Sequence, residues 1–329
     1  MRVTAAHLSD RIFQIQSPAD FKALAIEVFR FQYRNIATYR EFCDHLNVKP
    51  QEVDSLQKIP FLPIELFKRR SIKTTQESQM VFYSSGTTGT HPSRHEVVDL
   101  SIYEKSFFRG FERSYGSPTD WAILALLPSY LEREGSSLIY MAQALIDATN
   151  NKASGFYLHD HKSLKKQLQL LEAKQQKTLL LGVSYALLDL IQDESFALKH
   201  TIVMETGGMK GRRKEMIKSE LHQILMDGFS VDRIHSEYGM TELLSQAYSS
   251  GGGKYTCPPW MQVLTRDPED PLCFLEGRSG GINVIDLANI NSCAFIATQD
   301  LGKRFPDGSF EILGRFDHSD VRGCNLMVF

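Results

Sequence analysis

The sequence predicts an α/β protein built on a largely parallel sheet. Between residues 100 and 235, apolar β-prone runs alternate with stretches of helical periodicity, as in parallel strands joined by crossover helices. Polar, glycine-rich loops follow several of these runs, where open α/β sheets bind ligands. After Tyr248 the composition turns rich in glycine, proline and β-formers, which predicts mixed strands and hairpins.

The elements follow in order. Pro18–Leu46 carries Phe21, Leu24, Ala25, Val28, Phe29, Ile36, Tyr39 and Phe42 at helical spacing, with Ser17-Pro18 as a helix start. Ile59–Lys68 reads as an extended segment laid on a core, because Pro60 and Pro63 break helix. Met80–Tyr83 and Glu96–Val98 read as strands flanking a glycine-rich loop. A helix is predicted over Leu100–Tyr115, a buried strand over Trp121–Leu127 and a helix over Ser136–Ala148. Helix Leu164–Lys174, strand Thr178–Leu181, helix Tyr185–Asp193 and strand Thr201–Met204 follow. Helix Arg213–Met226 then leads to strand Val231–His235. Ala294–Thr298 is a strand, and Asp307-Gly308 marks a hairpin turn before Phe310–Leu313.

Composition narrows the classes. The chain has 329 residues, 42% hydrophobic and 23% charged, with net charge −2. These are values of a soluble globular protein, without the basic excess of a nucleic-acid binder. No apolar run reaches membrane-spanning length, and the N-terminus lacks a signal core, so the expected location is the cytoplasm. Cys43, Cys257, Cys273, Cys293 and Cys324 lack zinc-site spacing, and free thiols are expected.

The stretch Tyr83-Ser-Ser-Gly-Thr-Thr-Gly-Thr-His-Pro-Ser-Arg-His95 suits phosphate. Gly86 and Gly89 permit close backbone approach, successive N–H groups can form an anion nest, and Ser84, Ser85, Thr87 and Thr88 add hydroxyl donors. Arg94 or a neighbouring histidine can supply charge. A polar turn between two strands accounts for the same composition. Gly207 and Gly208, in Glu205–Gly211, let backbone approach a flat ligand or simply open a helix. In Glu237–Glu242, Tyr238 can stack on a base, Thr241 can reach a phosphate and Glu242 can hold Mg²⁺; an ordinary turn is the alternative. Asp300 can accept ribose hydroxyls. Arg315 and Asp317 are one cation and one carboxylate, or a surface ion pair.

Taken together, Tyr83–Gly89, Tyr238–Glu242, Gln299–Leu301 through Asp307-Gly308, and Gly314–Asp317 resemble, in that order, the motifs of the adenylate-forming superfamily. The resemblance implies ATP and Mg²⁺ as cofactors, attack of a carboxylate on the α-phosphate, and passage of the acyl group to a nucleophile. It places Ser84, Ser85, Gly86, Thr87, Thr88 and Gly89 around phosphates and Tyr238 on adenine. Thr241 and Glu242 then serve phosphate and metal, Asp300 the ribose, and Arg315 the nucleotide. Two departures stand out. Pro92-Ser-Arg-His replaces the usual Pro-Lys-Gly, which makes Arg94 the candidate for the missing charge. The chain ends twelve residues after Asp317, so the superfamily's small C-terminal domain is expected to be missing.

The ending Val321–Phe329, with Ile59–Lys68 and Thr206–Lys210, is similar to the LuxE-type acyl-protein synthetases of bacterial luminescence operons. That resemblance implies one adenylate-forming domain over 1–329: a helical segment to 75, an α/β core from 76 to 250, and a β-rich part from 251 ending in an acceptor tail. It also implies a fatty or aryl acid substrate, an acyl thioester on Cys324, and a partner reductase or acyltransferase. Arg322 and His318 near Cys324 are the kind of cations that favour a thiolate. An external thiol such as CoA, or a non-catalytic nucleotide-binding subunit, are the alternatives.

Overall fold

A computed structural model describes residues 4–84, 92–127, 135–158, 160–193, 195–207 and 216–316. Helices α1 (Ala5–Ile12), α2 (Pro18–Asn35) and α3 (Ala37–His45) open the chain. The predicted start holds: Ser17 caps the backbone N–H of Asp20, and Pro18 occupies the first turn. The single apolar stripe becomes two helices because Ile36 leaves helical geometry (φ −114°, ψ 106°). Strand β1 is confined to Leu62–Pro63, and Ile64–Lys68 is a 3₁₀ helix rather than extended chain.

Strands β2 (Met80–Tyr83) and β3 (Arg94–Val97) form an antiparallel hairpin. Then come α4 (Leu100–Tyr115), β4 (Ala122–Leu126), α5 (Ser137–Ala148), β5 (Gly155–Phe156), α6 (His161–Ala173), β6 (Thr178–Val183), α7 (Ser184–Asp193), β7 (Thr201–Thr206), α8 (Lys218–Phe229), β8 (His235–Tyr238) and β9 (Ala247–Ser249). The sheet order is β5-β4-β6-β7-β8-β9, parallel except for β9. This is the parallel α/β sheet that the alternating pattern predicts. Strands β4 and β6 are buried at every position, as expected where helices cover both faces.

One boundary moves with consequence. Ser230 ends α8 in the left-handed region (φ 53°), and the next strand begins at His235 rather than Val231. Glu237 and Tyr238 therefore belong to a buried strand, not to a loop.

The C-terminal sheet contains β10 (Lys254–Tyr255), β11 (Met261–Arg266), β12 (Phe274–Leu275), β13 (Ser279–Asp286), β14 (Phe295–Arg304) and β15 (Phe310–Arg315). Its order is β10-β15-β14-β13-β11-β12, with β1 running parallel to β14. The predicted Asp307-Gly308 turn joins β14 to β15; Gly308 has φ 86°, which a glycine adopts without strain. Strand β14 is longer than predicted, so Asp300 lies within it and faces Arg315 across the strand pair.

The N-terminal helices are tied into this sheet by Gln32, which is fully buried on α2. Its side-chain amide donates to the carbonyls of Asn289, Ile290 and Ser292 at 2.8–3.0 Å and accepts from the Ala294 N–H at 3.1 Å. Gln32→Leu leaves these buried groups unpaired and is expected to destabilise the protein by about 3–5 kcal/mol. Urea unfolding measures this; a loss below about 1 kcal/mol would show that water re-pairs the 289–294 segment.

Candidate active site

Two of the predicted loops and the hairpin neck converge at the carboxyl ends of β7 and β8. At the neck, the Ser84 N–H donates to the Ser93 carbonyl at 3.0 Å, and Ser84 Oγ accepts from the Ser93 N–H at 2.8 Å. The predicted phosphate-binding residues Ser85, Gly86, Thr87, Thr88 and Gly89 lie outside the described residues, as do Gly208 and Cys324. Gly207 follows β7 with φ 67°, and its carbonyl accepts from Ser184 Oγ at 3.0 Å.

The residues predicted to bind nucleotide come together across the two sheets. The Tyr238 hydroxyl donates to Asp300 Oδ2 at 2.8 Å, and Arg315 Nε lies 3.2 Å from Oδ1 of the same carboxylate. Tyr238 and Asp300 are buried, and the Arg315 side chain is 73% exposed. The Tyr238 ring is packed by Tyr255 and Phe310. A carboxylate already anchored by a phenol and a guanidinium is oriented before a ligand arrives, which lowers the ordering cost of binding.

Thr241 and Glu242 form a turn after β8. Burial pushes the Glu242 carboxyl up, against the Ser93 hydroxyl, its own backbone amide and the charges of Arg315 and Lys68. Burial outweighs these groups, and Glu242 is the carboxylate here that could hold a divalent ion. Among the described residues no group of three acidic, histidine or cysteine side chains could hold a metal.

The turn is gripped from behind by residues the sequence motifs did not reveal. His95 Nδ1 donates to the Thr241 carbonyl at 2.7 Å. Asn289 Nδ2 donates to the Glu242 carbonyl at 2.6 Å. Asp286 accepts the N–H groups of Leu244 and Ser245 at 2.8 and 2.9 Å, the Ser245 hydroxyl, and the Ala288 N–H. Burial carries Asp286 up to about 6 despite these donors, which pull it down. Signals were weak here: Asp286 and Asn289 lie in no motif, and His95 reads as a loop cation.

Arg94 is about half exposed and pairs with Glu96 at 3.4 Å, a carboxylate it shares with Lys73 at 2.8 Å and Ser71. On β7, Glu205 is fully enclosed. Burial opposes its ionisation, but His222, Lys218 and Ser236 bring it down to about 2. Glu237 accepts from Thr206 Oγ1, and burial raises it to about 7. A Cβ at Gly239 would lie 2.4 Å from Glu237 Oε1, so a side chain there would require the Glu237 carboxylate to move.

The fold is that of the adenylate-forming ligases. A 2-hydroxyisobutyryl-CoA ligase, solved in an open conformation with 2-HIB-AMP and CoA, matches 92% of this chain and 72% of its own, with TM-score 0.69 and 12% identity. MatB from Rhodopseudomonas palustris, solved with ATP, matches 75% of this chain and 49% of its own, with TM-score 0.54 and 20% identity. Within that class the family is specific: the chain belongs to the LuxE acyl-protein synthetases, whose family model matches residues 12–329. Relatives described as long-chain-fatty-acid–luciferin-component ligases occur in Aliivibrio fischeri and Vibrio harveyi. The first is 23% identical over 93% of this chain and 86% of its own length; the second is 22% identical over 91% and 85%.

Proposed function

We propose that the protein activates a fatty acid with ATP and carries the acyl group on Cys324. In the first step the carboxylate attacks the α-phosphate and pyrophosphate leaves. In the second the Cys324 thiolate attacks the acyl carbonyl and AMP leaves, giving a thioester for delivery to a partner such as an acyl reductase. The observation that carries this reading is the joining of Tyr238, Asp300 and Arg315 by hydrogen bonds at one site on an adenylate-forming fold. The names of the relatives support a long-chain fatty acid.

In this reading Ser84 through Gly89 hold the phosphates, and Gly207 and Gly208 lie along the adenine with Tyr238. Asp300 takes the ribose hydroxyls, Arg315 contacts the nucleotide, and Thr241 faces a phosphate. Arg94 exchanges Glu96 for phosphate charge. Glu242 would hold Mg²⁺, which supplies charge neutralisation between two anionic reactants. The test is acid-dependent ATP–pyrophosphate exchange across a panel of fatty and aryl acids. Exchange with long-chain acids is expected; no exchange with any acid would overturn the reading.

Asp300→Ala is expected to raise the KM for ATP about 10–100-fold, because charge-assisted hydrogen bonds contribute about 1.5–3 kcal/mol each. The KM for the acid should stay near wild type. An effect confined to the acid contradicts a ribose role.

A further inference from the structure

We infer that His95 is a positioning residue: from the hairpin it fixes the Thr241 carbonyl, and so sets where the Glu242 carboxylate stands relative to the hairpin neck at Ser84 and Ser93. The consequence for catalysis rests on the adenylation reading above; the structural part does not.

The residue type is otherwise hard to account for. His95 is fully buried on β3, opposite Phe82, with its ring edge-on to Phe67 at 5.7 Å. Its Nε2 makes no well-formed hydrogen bond, its polar neighbour being the Asn289 side chain, and a poorly paired buried polar atom is costly. An apolar side chain would fill the same space without that cost. What an apolar residue cannot do is donate to Thr241. A carbonyl only accepts, so Nδ1 carries the proton in this contact. Burial pushes the imidazole down to about 4, so the ring is neutral at physiological pH and the Nδ1–H form is fixed by its partner.

The position of the contact gives it leverage. His95 lies two residues beyond Ser93, where the hairpin neck closes on Ser84, and it reaches across 146 positions of sequence. Asn289 and Asp286 hold the same turn from the C-terminal sheet. His95 holds it from the side that presents Ser84. Its bond therefore links the hairpin neck to the Thr241–Glu242 turn, and in the adenylation reading misplacement by a fraction of an ångström at such a junction is felt in the rate.

The experiment compares His95→Phe, which keeps ring volume but deletes the donor, with His95→Asn, whose Nδ2 can replace Nδ1. Amide hydrogen exchange of the peptide spanning 239–246 reads the turn directly. The Mg²⁺ dependence of ATP–pyrophosphate exchange reads its effect on the reaction. In His95→Phe the amides of 239–246 should exchange about tenfold faster while β4 and β6 stay protected. The Mg²⁺ half-saturation should rise about tenfold, and His95→Asn should restore both. Unchanged amide protection in His95→Phe, or equal loss in both variants, overturns the inference. If His95→Phe does not fold, His95→Asn alone decides: it must keep wild-type protection of the turn. Wild-type protein without acid-dependent exchange would sink the adenylation reading, while amide exchange still judges His95.

Discussion

Glu242→Gln is expected to lower acid-dependent ATP–pyrophosphate exchange by about 10²–10³-fold, the loss typical of removing one electrostatic partner of a transition state. Glutamine matches glutamate in shape and keeps a carbonyl for Ser93, so packing is preserved. It removes the charge that would bridge to a divalent ion. Stability gives an independent check. Burial raises the Glu242 carboxyl above its ordinary 4.5, so the folded state favours the protonated form. Its contribution to stability is complete below pH 4.5 and is lost as pH rises through the raised value. Glu242→Gln has no such proton to lose. The variant should therefore be at least as stable as wild type at neutral pH, and its stability should decline less between acidic and neutral pH. A variant that keeps full exchange at limiting Mg²⁺ would rule out the metal role; one that unfolds would show that the residue is structural.

Cys324→Ala is expected to separate the two half-reactions. In the proposed reaction adenylation uses the nucleotide-binding residues and not Cys324, so exchange should persist near wild-type rates. Covalent self-acylation should disappear, because no nucleophile then stands at that position. Serine should acylate slowly at best, since a hydroxyl is barely ionised at neutral pH while a thiol is partly so. The wild-type adduct should be released by neutral hydroxylamine, as a thioester is. The described thiols narrow the competition. Cys43 and Cys293 are buried. Burial pushes Cys43 and Cys257 up to about 12, and Cys293 also rises on burial. Among the described cysteines Cys273 is exposed, so Cys273→Ala is the control. Mapping the labelled peptide by mass spectrometry decides. Acyl on Cys273, or CoA acylated with no protein adduct, would replace the tail acceptor with another thiol.

Sequence alone went far with the central sheet. Strands such as Thr178–Val183 are buried on both faces, so they appear as continuous apolar runs, and the helices between them keep an apolar stripe. Motif order also went far, because a glycine loop and a Tyr-Gly-x-Thr-Glu turn are short and local. Boundaries were weaker. Val231–Ile234 looked like strand but follows a left-handed cap at Ser230. Asp300 read as lying at the end of a strand Ala294–Thr298, yet pairing with β15 carries β14 through it.

What the sequence determined by itself is the fold class, the family resemblance and the identity of Tyr238, Glu242, Asp300 and Arg315 as candidates. Each depends on residue type and local spacing, which a linear reading preserves. What only the tertiary structure decided is how those candidates are held. Asp300 meets Tyr238 across 62 positions, Asn289 meets Glu242 across 47, and Gln32 meets Ser292 across 260. These are hydrogen bonds between buried groups whose partners are chosen by packing. A buried donor must find an acceptor wherever the chain brings one, and neither propensity nor spacing encodes which one arrives.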